Sequence, residues 1–323
     1  MAKAIRIYQH GAPEVLRWEE VDPGVPGAGE VLVRNTAVGL NFVDVYARTG
    51  LYPMQLPGSL GSEAAGVVVT VGNKVKSLKA GDRVVYLATP PGAYSELKVC
   101  AAQALHKIPA AISDEQAAAL LLKGLTAHYL LRRTYRVRKG DTVLIHAAAG
   151  GVGLILCQWA RHLGARVIGV TSSEQKARLA KRNGCHQVIL AAEDQVTRVK
   201  QITRGKGVDV VYDSVGKDTF MASLDCLRPM GMMVSYGNAS GPPPAISPLE
   251  LMRRGSLYLT RPTGLHYSAA RADRDKGLRE LFSLVRRGII KIHIGQRYPL
   301  KDVARAHRDL EARRTVGSTV LIP

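Results

Sequence analysis

The most constraining feature of the sequence is a stretch near its middle, Gly140 to Arg161, which reads GDTVLIHAAAGGVGLILCQWAR. An apolar run over 142–147 leads directly into a turn of small residues, 148–153, and an amphipathic segment then continues to about Leu163. A buried parallel strand that ends in a tight turn and opens a helix has this pattern. The stretch therefore predicts the first strand–turn–helix unit of an α/β fold.

The turn has the form A-x-G-x-x-G, a dinucleotide-binding fingerprint with Ala148 in the place of the first glycine. Gly150 would let the backbone approach a pyrophosphate, and Gly153 would let the helix pack closely on its strand. The first amides of the helix and the positive end of its dipole would face the phosphates. A glycine turn can be merely structural, but this one follows a strand and opens a helix. We therefore expect a dinucleotide cofactor, with Gly150 and Gly153 at the pyrophosphate.

Strand-like and helix-like segments alternate from this unit onward. The strand candidates are 142–147, 166–170, 187–190, 208–212, 232–236 and 257–260. Six parallel strands joined by helices predict a doubly wound Rossmann sheet with right-handed crossovers. The ligand is expected at the carboxyl ends of the strands, where the strand order reverses.

The two ends of the chain have a different pattern. Residues 1 to about 122 are β-rich, with short strand-like runs separated by turns. Predicted helices there are 41–48, 117–122 (after a capping box at 113–116) and, next along the chain, 125–134. The tail gives a helix at 278–287, a strand at 292–297, a helix at 301–312 and a strand at 317–322. Because the tail has no room in a six-stranded sheet, we expect most of it to return to the first domain. The predicted domains are 1–122 with 265–323, and 123–264.

Bulk properties limit the class of protein. A chain of 323 residues suggests two domains. No apolar run approaches the roughly 20 residues of a membrane span, and MAKAIRIYQHG resembles the start of a strand, not a signal segment. The four cysteines are widely scattered, which fits reduced thiols in a cytoplasmic protein.

The net charge of +19, from 45 Lys and Arg against 26 Asp and Glu, raises the question of nucleic acid. The basic residues are spread along the chain, and aromatic residues make up only 5% of it, unlike aromatic-rich RNA-binding motifs. We therefore expect a solvated basic surface that attracts anionic cofactors and binds polyanions non-specifically at low salt. A non-catalytic RNA-binding protein stays as the weakest alternative.

The end of the second predicted strand indicates which nicotinamide cofactor is bound. NAD sites usually carry Asp or Glu there to hold the ribose 2′-hydroxyl. Here the strand ends in Val170-Thr171-Ser172-Ser173, and Lys176 follows three residues later. Hydroxyls and a lysine at a helix N-terminus suit a 2′-phosphate, so Ser172, Ser173 and Lys176 predict NADPH. Ser172 could at the same time cap the helix in a Ser-x-x-Gln box. Glu174 opposes the assignment unless it faces solvent.

Several motifs together resemble those of a known family. They are His10–Leu16 (HGAPEVL), Gly39–Tyr46 (GLNFVDVY), Gly50–Pro53 (GLYP), Gly61–Gly66 (GSEAAG), Lys123–Thr126 (KGLT), the 140–161 stretch, Tyr212–Gly216 (YDSVG) and Ser235–Asn238 (SYGN). In this combination the whole chain resembles the zinc-free NADPH:quinone reductases, the zeta-crystallin-like group of the medium-chain dehydrogenase/reductase superfamily. The resemblance implies a GroES-like catalytic domain made from both chain ends, a Rossmann domain between them, a cleft that holds NADPH, and a homodimer built through the Rossmann sheets.

The resemblance also implies which residues face the cofactor. On the nicotinamide side these are Asn41, Phe42 and Tyr46, with Thr126 and Tyr129 behind them. Gly151 and Val152 would meet the pyrophosphate. The other side of the cofactor would be lined by Gly216, Tyr236, Asn238 and Ser240, with Leu265, Arg313 and Gly317 from the tail. The chain departs from the family at Leu190 and Ala191, where relatives carry Asn-Tyr against the adenosine. Loss of the ring predicts a weaker hold on adenosine, by about 1 kcal/mol.

Zinc-dependent members of the superfamily carry Gly-His-Glu and a nearby cysteine. This chain has Ser62 before Glu63 and no Cys or His over 41–44, so three zinc ligands are not assembled and no metal is expected. Without a Lewis acid the acceptor must already be electrophilic, such as a quinone or, alternatively, an enone or alkenal. Hydride transfer leaves negative charge on an oxygen, and Asn41, Tyr46 and Tyr52 are the candidate catalytic donors by resemblance. Ordinary packing is the alternative role for both tyrosines.

Overall fold

The computed structural model describes all 323 residues, and the chain divides into two compact units. The first unit contains both ends of the chain, Met1–Leu122 and Ile292–Pro323, and the second contains Lys123–Lys291. Each unit has its own hydrophobic core. None of the helices combines the length and the hydrophobicity that a membrane span requires.

The first part of the chain forms short strands and two helices. The strands are β1 (Ala2–Ile7), β2 (Arg17–Val21), β3 (Glu30–Leu40), β4 (Gly58–Ser59), β5 (Glu63–Val71), β6 (Arg83–Leu87), β7 (Leu97–Ala101) and β8 (Leu105–Lys107). The helices are α1 (Phe42–Thr49) and α2 (Asp114–Tyr129), and a π-helical turn over Leu130–Thr134 follows α2. The prediction of two separate helices here is wrong. Gly124 is buried inside α2 without ending it, because one interior glycine costs only about 1 kcal/mol relative to alanine.

The middle of the chain alternates strands with helices, as the sequence predicted. The strands are β9 (Thr142–Ile145), β10 (Arg166–Thr171), β11 (Gln187–Leu190), β12 (Val208–Asp213), β13 (Leu227–Ser235) and β14 (Tyr258–Thr260). The helices are α3 (Gly151–His162), α4 (Glu174–Arg182), α5 (Gln195–Thr203), α6 (Phe220–Asp225), α7 (Pro248–Arg253), α8 (Gly264–Tyr267) and α9 (Arg271–Arg286). The tail adds β15 (Ile294–Pro299), α10 (Val303–Glu311) and β16 (Ser318–Ile322).

The second unit is built on one sheet with the strand order β11-β10-β9-β12-β13-β14. Every neighbouring pair in this sheet is parallel. Counted within the unit, the order is 3-2-1-4-5-6, and it reverses between β9 and β12. Apolar residues such as Leu144, Ile168 and Val211 are fully buried, as expected of strands covered on both faces. The predicted doubly wound α/β fold is confirmed.

The first unit contains a larger, mostly antiparallel sheet with the order β15-β16-β3-β5-β6-β8, to which β7 adds through β3. A smaller sheet has the order β2-β1-β4. The last strand of the chain, β16, pairs antiparallel with β3, with Val320 opposite Gly39. The tail thus returns to the beginning of the chain from residue 292 onward.

The predicted domain boundary at residue 265 differs from this division, because residues 265–291 lie in the second unit. The reason is the packing of α9 against α2. Gly277 lies so close to α2 that an added Cβ would be 3.0 Å from His128 Nδ1, and Glu280 pairs with His128 and Arg132. Helix α9 also begins at Arg271, seven residues before the predicted start.

Candidate cofactor and active site

The fingerprint turn joins β9 to α3 at the point where the strand order reverses. The strand ends at Ile145, two residues before the predicted end, because Ala147 adopts the left-handed conformation (φ 49°) and starts the turn. Gly150 donates to Ala147 O at 2.8 Å and is the N-cap of α3. A Cβ on Gly153 would lie 2.2 Å from Ala147 O, so only glycine allows this close approach of helix to turn.

The start of α3 is suited to an anion. No side chain caps it, and its first turn, which includes Gly151 and Val152, carries no acidic residue. The helix has 12 residues, and its dipole and first amides favour negative charge at this end. These observations fit a pyrophosphate, the group that the fingerprint predicts.

The end of β10 carries the residues expected at a 2′-phosphate. Ser173, not Ser172, is the N-cap of α4: its Oγ accepts from Lys176 N at 3.3 Å. The prediction that Ser172 caps the helix is therefore wrong, since α4 begins one residue later than a Ser172 cap requires. Ser172 is exposed, Glu174 is exposed at the first helical position, and no carboxylate stands at the end of the strand itself.

The ends of β12 and β13 form a pair of interlocked turns. Gly216 has a φ of 91°, and an added Cβ would lie 2.4 Å from Gly241 O. Ser240 donates from both N and Oγ to Val215 O, and Tyr236 N donates to Asp213 O. Asn238 follows Tyr236 in the second of these turns, and its amide accepts from Arg261. The structure thus brings Gly216, Tyr236, Asn238 and Ser240 together in adjoining turns.

A buried network that sequence reasoning missed supports these turns. The Asp213 carboxylate accepts from Val215 N at 2.7 Å and from Gly216 N at 3.1 Å. It also accepts from Thr219 Oγ1 at 2.7 Å and from Ser223 Oγ at 2.8 Å. Ser223 in turn accepts from His146 Nε2, and burial lowers the pKa of that histidine. An aspartate at the end of a buried strand, with hydroxyl residues six and ten positions later, was the available signal.

Three further predicted residues lie on α2 and α8. The Tyr129 ring stacks on the Tyr267 ring with a centroid separation of 5.1 Å. The Arg133 guanidinium also lies over the Tyr267 ring, 5.6 Å from its centroid. Thr126 lies one turn before Tyr129 on α2. Leu265, on α8, is 77% exposed, which is unusual for a leucine. Ala191, where relatives carry tyrosine, is exposed and donates its N–H to Thr171 O at 2.8 Å.

In the first unit, α1 holds the residues predicted beside the nicotinamide. Phe42 and Tyr46 have ring centroids 6.0 Å apart, and Tyr46 packs edge-on against Tyr52 at 5.1 Å. Tyr46 is buried, whereas Tyr52 is 37% exposed and donates its N–H to Tyr46 O. The Asn41 amide donates to Glu63 Oε1 at 2.8 Å, and its second acceptor is Gly39 O at 3.4 Å. Both N–H groups of the Asn41 amide are thus directed at protein acceptors, while Tyr46 and Tyr52 carry hydroxyl groups.

Two buried carboxylates organise this region. Glu63 Oε2 accepts from Leu122 N at 2.6 Å. Asp44 accepts from Asn41 N at 3.0 Å, from Tyr94 Oη at 3.1 Å and from Ser62 Oγ at 2.6 Å. Burial raises the pKa of Asp44 to about 6, and the nearby Glu63 acts in the same direction. Asp44 is therefore an acid that titrates close to neutral pH.

The remaining predicted residues lie in the tail. Arg313 is exposed with a φ of 58°, and Gly317 precedes β16 with the same φ. A Cβ on Gly317 would be 2.4 Å from His293 O, so the position requires glycine. These two residues and the α1 residues belong to the first unit, and all other predicted cofactor residues belong to the second. The chain has no group of three or more His, Cys, Asp or Glu side chains that could hold a metal ion.

Comparison with protein families agrees with this architecture. Residues 27–110 match the alcohol dehydrogenase GroES-like domain, and residues 151–272 match the zinc-binding dehydrogenase family. The predicted GroES-like part of the fold is thereby confirmed. The second match covers the fingerprint helix and the sheet that follows it.

Individual relatives are similar over their whole length. A quinone oxidoreductase of Pseudomonas aeruginosa is 53% identical, with both chains fully covered. The crystal structure of Escherichia coli quinone oxidoreductase complexed with NADPH superposes with a TM-score of 0.97 at 52% identity, again with full coverage of both chains. A 2-haloacrylate reductase of a Burkholderia species is 47% identical over all of this chain and 99% of its own. The chain therefore belongs to the quinone oxidoreductase family of the medium-chain dehydrogenase/reductase superfamily, as its motifs predicted.

Proposed function

We propose that this protein reduces quinones with NADPH as the hydride donor. The observation that carries the proposal is the fingerprint turn, which lies where the strand order reverses. The next strand, β10, is followed by two serines and a lysine, and no acidic residue stands at its end. It is supported by the full-length similarity to quinone oxidoreductases, one of them complexed with NADPH.

The residues present fit NADPH. The uncapped start of α3 suits the pyrophosphate, and Ser172, Ser173 and Lys176 suit the 2′-phosphate. Glycines at 153 and 216 keep the backbone close where a side chain would collide with it. The nicotinamide would lie against Asn41, Phe42 and Tyr46, with Thr126 and Tyr129 behind it. Gly216, Tyr236, Asn238, Ser240, Leu265, Arg313 and Gly317 would line the rest of the cofactor.

The role of the chain is to position the acceptor and to stabilise charge on its oxygen. When bound, NADPH supplies a hydride to an electrophilic acceptor. Tyr46 and Tyr52 are in contact, and a phenol hydroxyl can donate a hydrogen bond to the acceptor. Donors aimed at the acceptor oxygen stabilise the negative charge that develops there.

Reduction of an activated C=C bond is the alternative function. Its specific support is the 2-haloacrylate reductase at 47% identity. Enones and alkenals accept hydride and place charge on an oxygen in the same way, so the same donors would serve. The two functions differ in the acceptor alone.

We also propose that the protein is a homodimer that associates through the edge strand β14. This strand has β13 as its only neighbour in the sheet, and its outer edge carries unpaired backbone groups. Large apolar side chains are exposed there and on α7, including Tyr258 and Met252, each 59% exposed. A symmetric contact of two such edges would cover both features. A cytoplasmic location is consistent with the four buried, unpaired cysteines.

The test is NADPH oxidation followed spectrophotometrically with a panel of quinones, an alkenal and 2-haloacrylate, and with NADH as the comparison cofactor. Fast turnover of quinones with NADPH is the expected result. Turnover confined to the alkenal or the haloacrylate would transfer the function to C=C reduction. If NADPH bound without any acceptor reacting, RNA binding at physiological salt would be the next measurement.

A further inference from the structure

A chain of hydrogen bonds runs from Arg48 through His307, Tyr94 and Asp44 to Ser62. It begins at Arg48 in the last turn of α1, which contacts His307 Nδ1 at 3.2 Å. His307 Nε2 lies 3.2 Å from Tyr94 Oη, and Tyr94 Oη lies 3.1 Å from Asp44 Oδ2. The other oxygen of Asp44 is 2.6 Å from Ser62 Oγ. All members of the chain are buried except Ser62, which is partly exposed.

The proton positions in this chain are fixed by chemistry. A guanidinium group can only donate, so His307 Nδ1 must accept from Arg48. Burial lowers the pKa of His307 to about 3, so the ring is neutral and carries its proton on Nε2. That N–H donates to Tyr94, whose hydroxyl must then donate to Asp44 Oδ2. Oδ2 also accepts from Asn41 N, so it has no room for a proton of its own.

The bond between Asp44 Oδ1 and Ser62 is the one place where the direction can change. When Asp44 is ionised, the Ser62 hydroxyl donates to it. When Oδ1 is protonated, the carboxyl group donates to Ser62 Oγ, and the hydroxyl hydrogen of Ser62 turns to another acceptor. Ser62 can therefore present a proton outward only when Asp44 is protonated.

We propose that Asp44 stores the proton that completes quinone reduction and that the Ser62 hydroxyl delivers it. This rests on the proposed function. Hydride from NADPH brings both electrons and leaves the monoanion of the hydroquinone. The Ser62 O–H bond then breaks as an O–H bond forms on the product oxygen, and the Asp44 proton passes to Ser62 Oγ. Asp44 is left as a carboxylate and regains a proton from solvent through Ser62. Ser62 is the catalytic residue, and Asp44 acts through it.

Four other charged or titratable groups surround Asp44, on its own helix and on the elements packed against it. Arg48 lies on the same helix, and its charge is paired with Glu311 of α10 through two contacts of 2.7 and 2.9 Å. His307, also from α10, is neutral above pH 3. Burial holds the pKa of Tyr94 well above its usual range. Glu63 of β5 is the remaining charged neighbour, and its carboxylate favours the protonated form of Asp44.

The first test is the pH profile of quinone reduction between pH 5 and 8. Wild-type kcat is expected to fall as the pH rises through about 6, the pKa of Asp44. Asp44→Asn should remove this inflection. Ser62→Ala should lower kcat at pH 6 by roughly 100-fold, a typical contribution of acid–base catalysis, while Ser62→Thr, which retains a hydroxyl, should keep most of the activity. Tyr86→Phe is the matched control, because Tyr86 is buried in the same core and its hydroxyl contacts Asn35 and Cys100, not Asp44.

The second test does not depend on quinone. Infrared difference spectra of the protein alone should show a carboxylic-acid band that grows as the pH falls through about 6. The band should be absent from Asp44→Asn and present in Tyr86→Phe. A wild-type protein that reduces no quinone overturns the proposed function and the delivery step with it. Quinone reduction without the inflection, without the band, or with full activity in Ser62→Ala overturns only the roles of Asp44 and Ser62.

Discussion

At Gly153 a single methyl group decides whether the fingerprint turn can keep its shape. An alanine Cβ would lie 2.2 Å from Ala147 O and 2.9 Å from Ala148 Cα, and neither is a flexible side chain. Gly153→Ala should therefore move α3 and weaken NADPH binding by at least about 10-fold, or roughly 1.4 kcal/mol. Titration calorimetry measures the affinity. The control is Gly27→Ala, whose Cβ would meet only the end of the Glu30 side chain. If the two variants bound NADPH equally well, the fingerprint turn would not be part of the cofactor site.

Lys176 tests the choice between the two nicotinamides. The backbone N–H of Lys176 donates to the Ser173 side chain that caps α4, so the prediction concerns the side-chain ammonium group alone. Lys176→Ala should weaken NADPH by about 1 kcal/mol, a few-fold in Kd, and leave NADH nearly unchanged, because only NADPH carries the 2′-phosphate. Dissociation constants for both cofactors give the answer. Lys181→Ala, on the exposed last turn of the same helix, is the control, and parallel losses for both cofactors would contradict the assignment.

Residues that act through local geometry could be predicted from the sequence, and residues that act through distant partners could not. The turn at 148–153 was recognisable because its strand, glycines and helix are contiguous. Tyr94 and His307 are 213 residues apart, and His146 joins the Asp213 network through Ser223, 77 residues further along the chain. No periodicity or spacing relates such positions. A buried aspartate is visible in the sequence, but its partners become visible only when the fold brings them together.

At the scale of elements, α1 is held at both ends by side chains. Asp44 in its first turn binds Ser62 and Tyr94, and Arg48 in its last turn binds His307 and Glu311. Three separate parts of the chain therefore fix one eight-residue helix, which is too short to be stable alone. This explains how α1 can present Phe42 and Tyr46 in a defined position.

The neutral His307 gives this anchoring a pH dependence. Its pKa is about 3 in the folded protein and about 6.5 in an unfolded chain, so only the unfolded chain takes up a proton as the pH falls below 6.5. The stability that His307 contributes is complete above 6.5 and is lost toward pH 3, by up to about 1.4 kcal/mol per unit. The stability advantage of wild type over His307→Gln should thus shrink by about 2 kcal/mol between pH 7 and 5.

Urea unfolding at the two pH values measures this difference. Asp44 acts in the opposite direction. Its raised pKa means that the folded protein takes up this proton first, so its contribution to stability increases as the pH falls from about 6 toward 4. The comparison must therefore be between wild type and variant at each pH, not of wild type alone. His162→Gln, at an exposed position on α3, is the control. A difference between wild type and His307→Gln that does not change with pH would mean that His307 has the same pKa in the folded protein as in the unfolded chain.

Boundaries between elements show the limit of sequence patterns. The sequence predicted the order of strands and helices in the second unit, because each strand is an uninterrupted apolar run between helical segments. It misplaced the start of α9 and the boundary at 265, because the packing of Gly277 on His128 is a tertiary contact with no local signal. Helix α2 is continuous across Gly124, where the sequence predicts two helices, because the residues on both sides of the glycine are buried.

At the scale of the whole molecule, charge and exposed apolar surface point to different partners. A net charge of +19 draws anions toward the protein, and we interpret it as a general field that favours a cofactor with several phosphates. The apolar side chains around β14 are local, and a monomer in water gains nothing from exposing them. The first feature concerns the rate of cofactor encounter, and the second concerns association with another copy.

The dimer prediction follows from the edge of the sheet. Leu259→Lys places a charge in the middle of β14, where a partner strand would have to bury it, and should convert a dimer into a monomer because desolvation of an unpaired charge costs several kcal/mol. Light scattering after size exclusion measures the mass, with 34.9 kDa expected for the variant and twice that for wild type. Val69→Lys, an exposed apolar residue on β5 of the first unit, is the matched control and should stay dimeric. A monomeric wild type, or a Leu259→Lys variant that keeps the dimer mass, would show that β14 is not the interface.

NADPH affinity measured on the same samples then decides whether association matters to the cofactor site. The fingerprint, β10 and both interlocked turns belong to one unit of one chain, so they should bind the cofactor in the monomer as well.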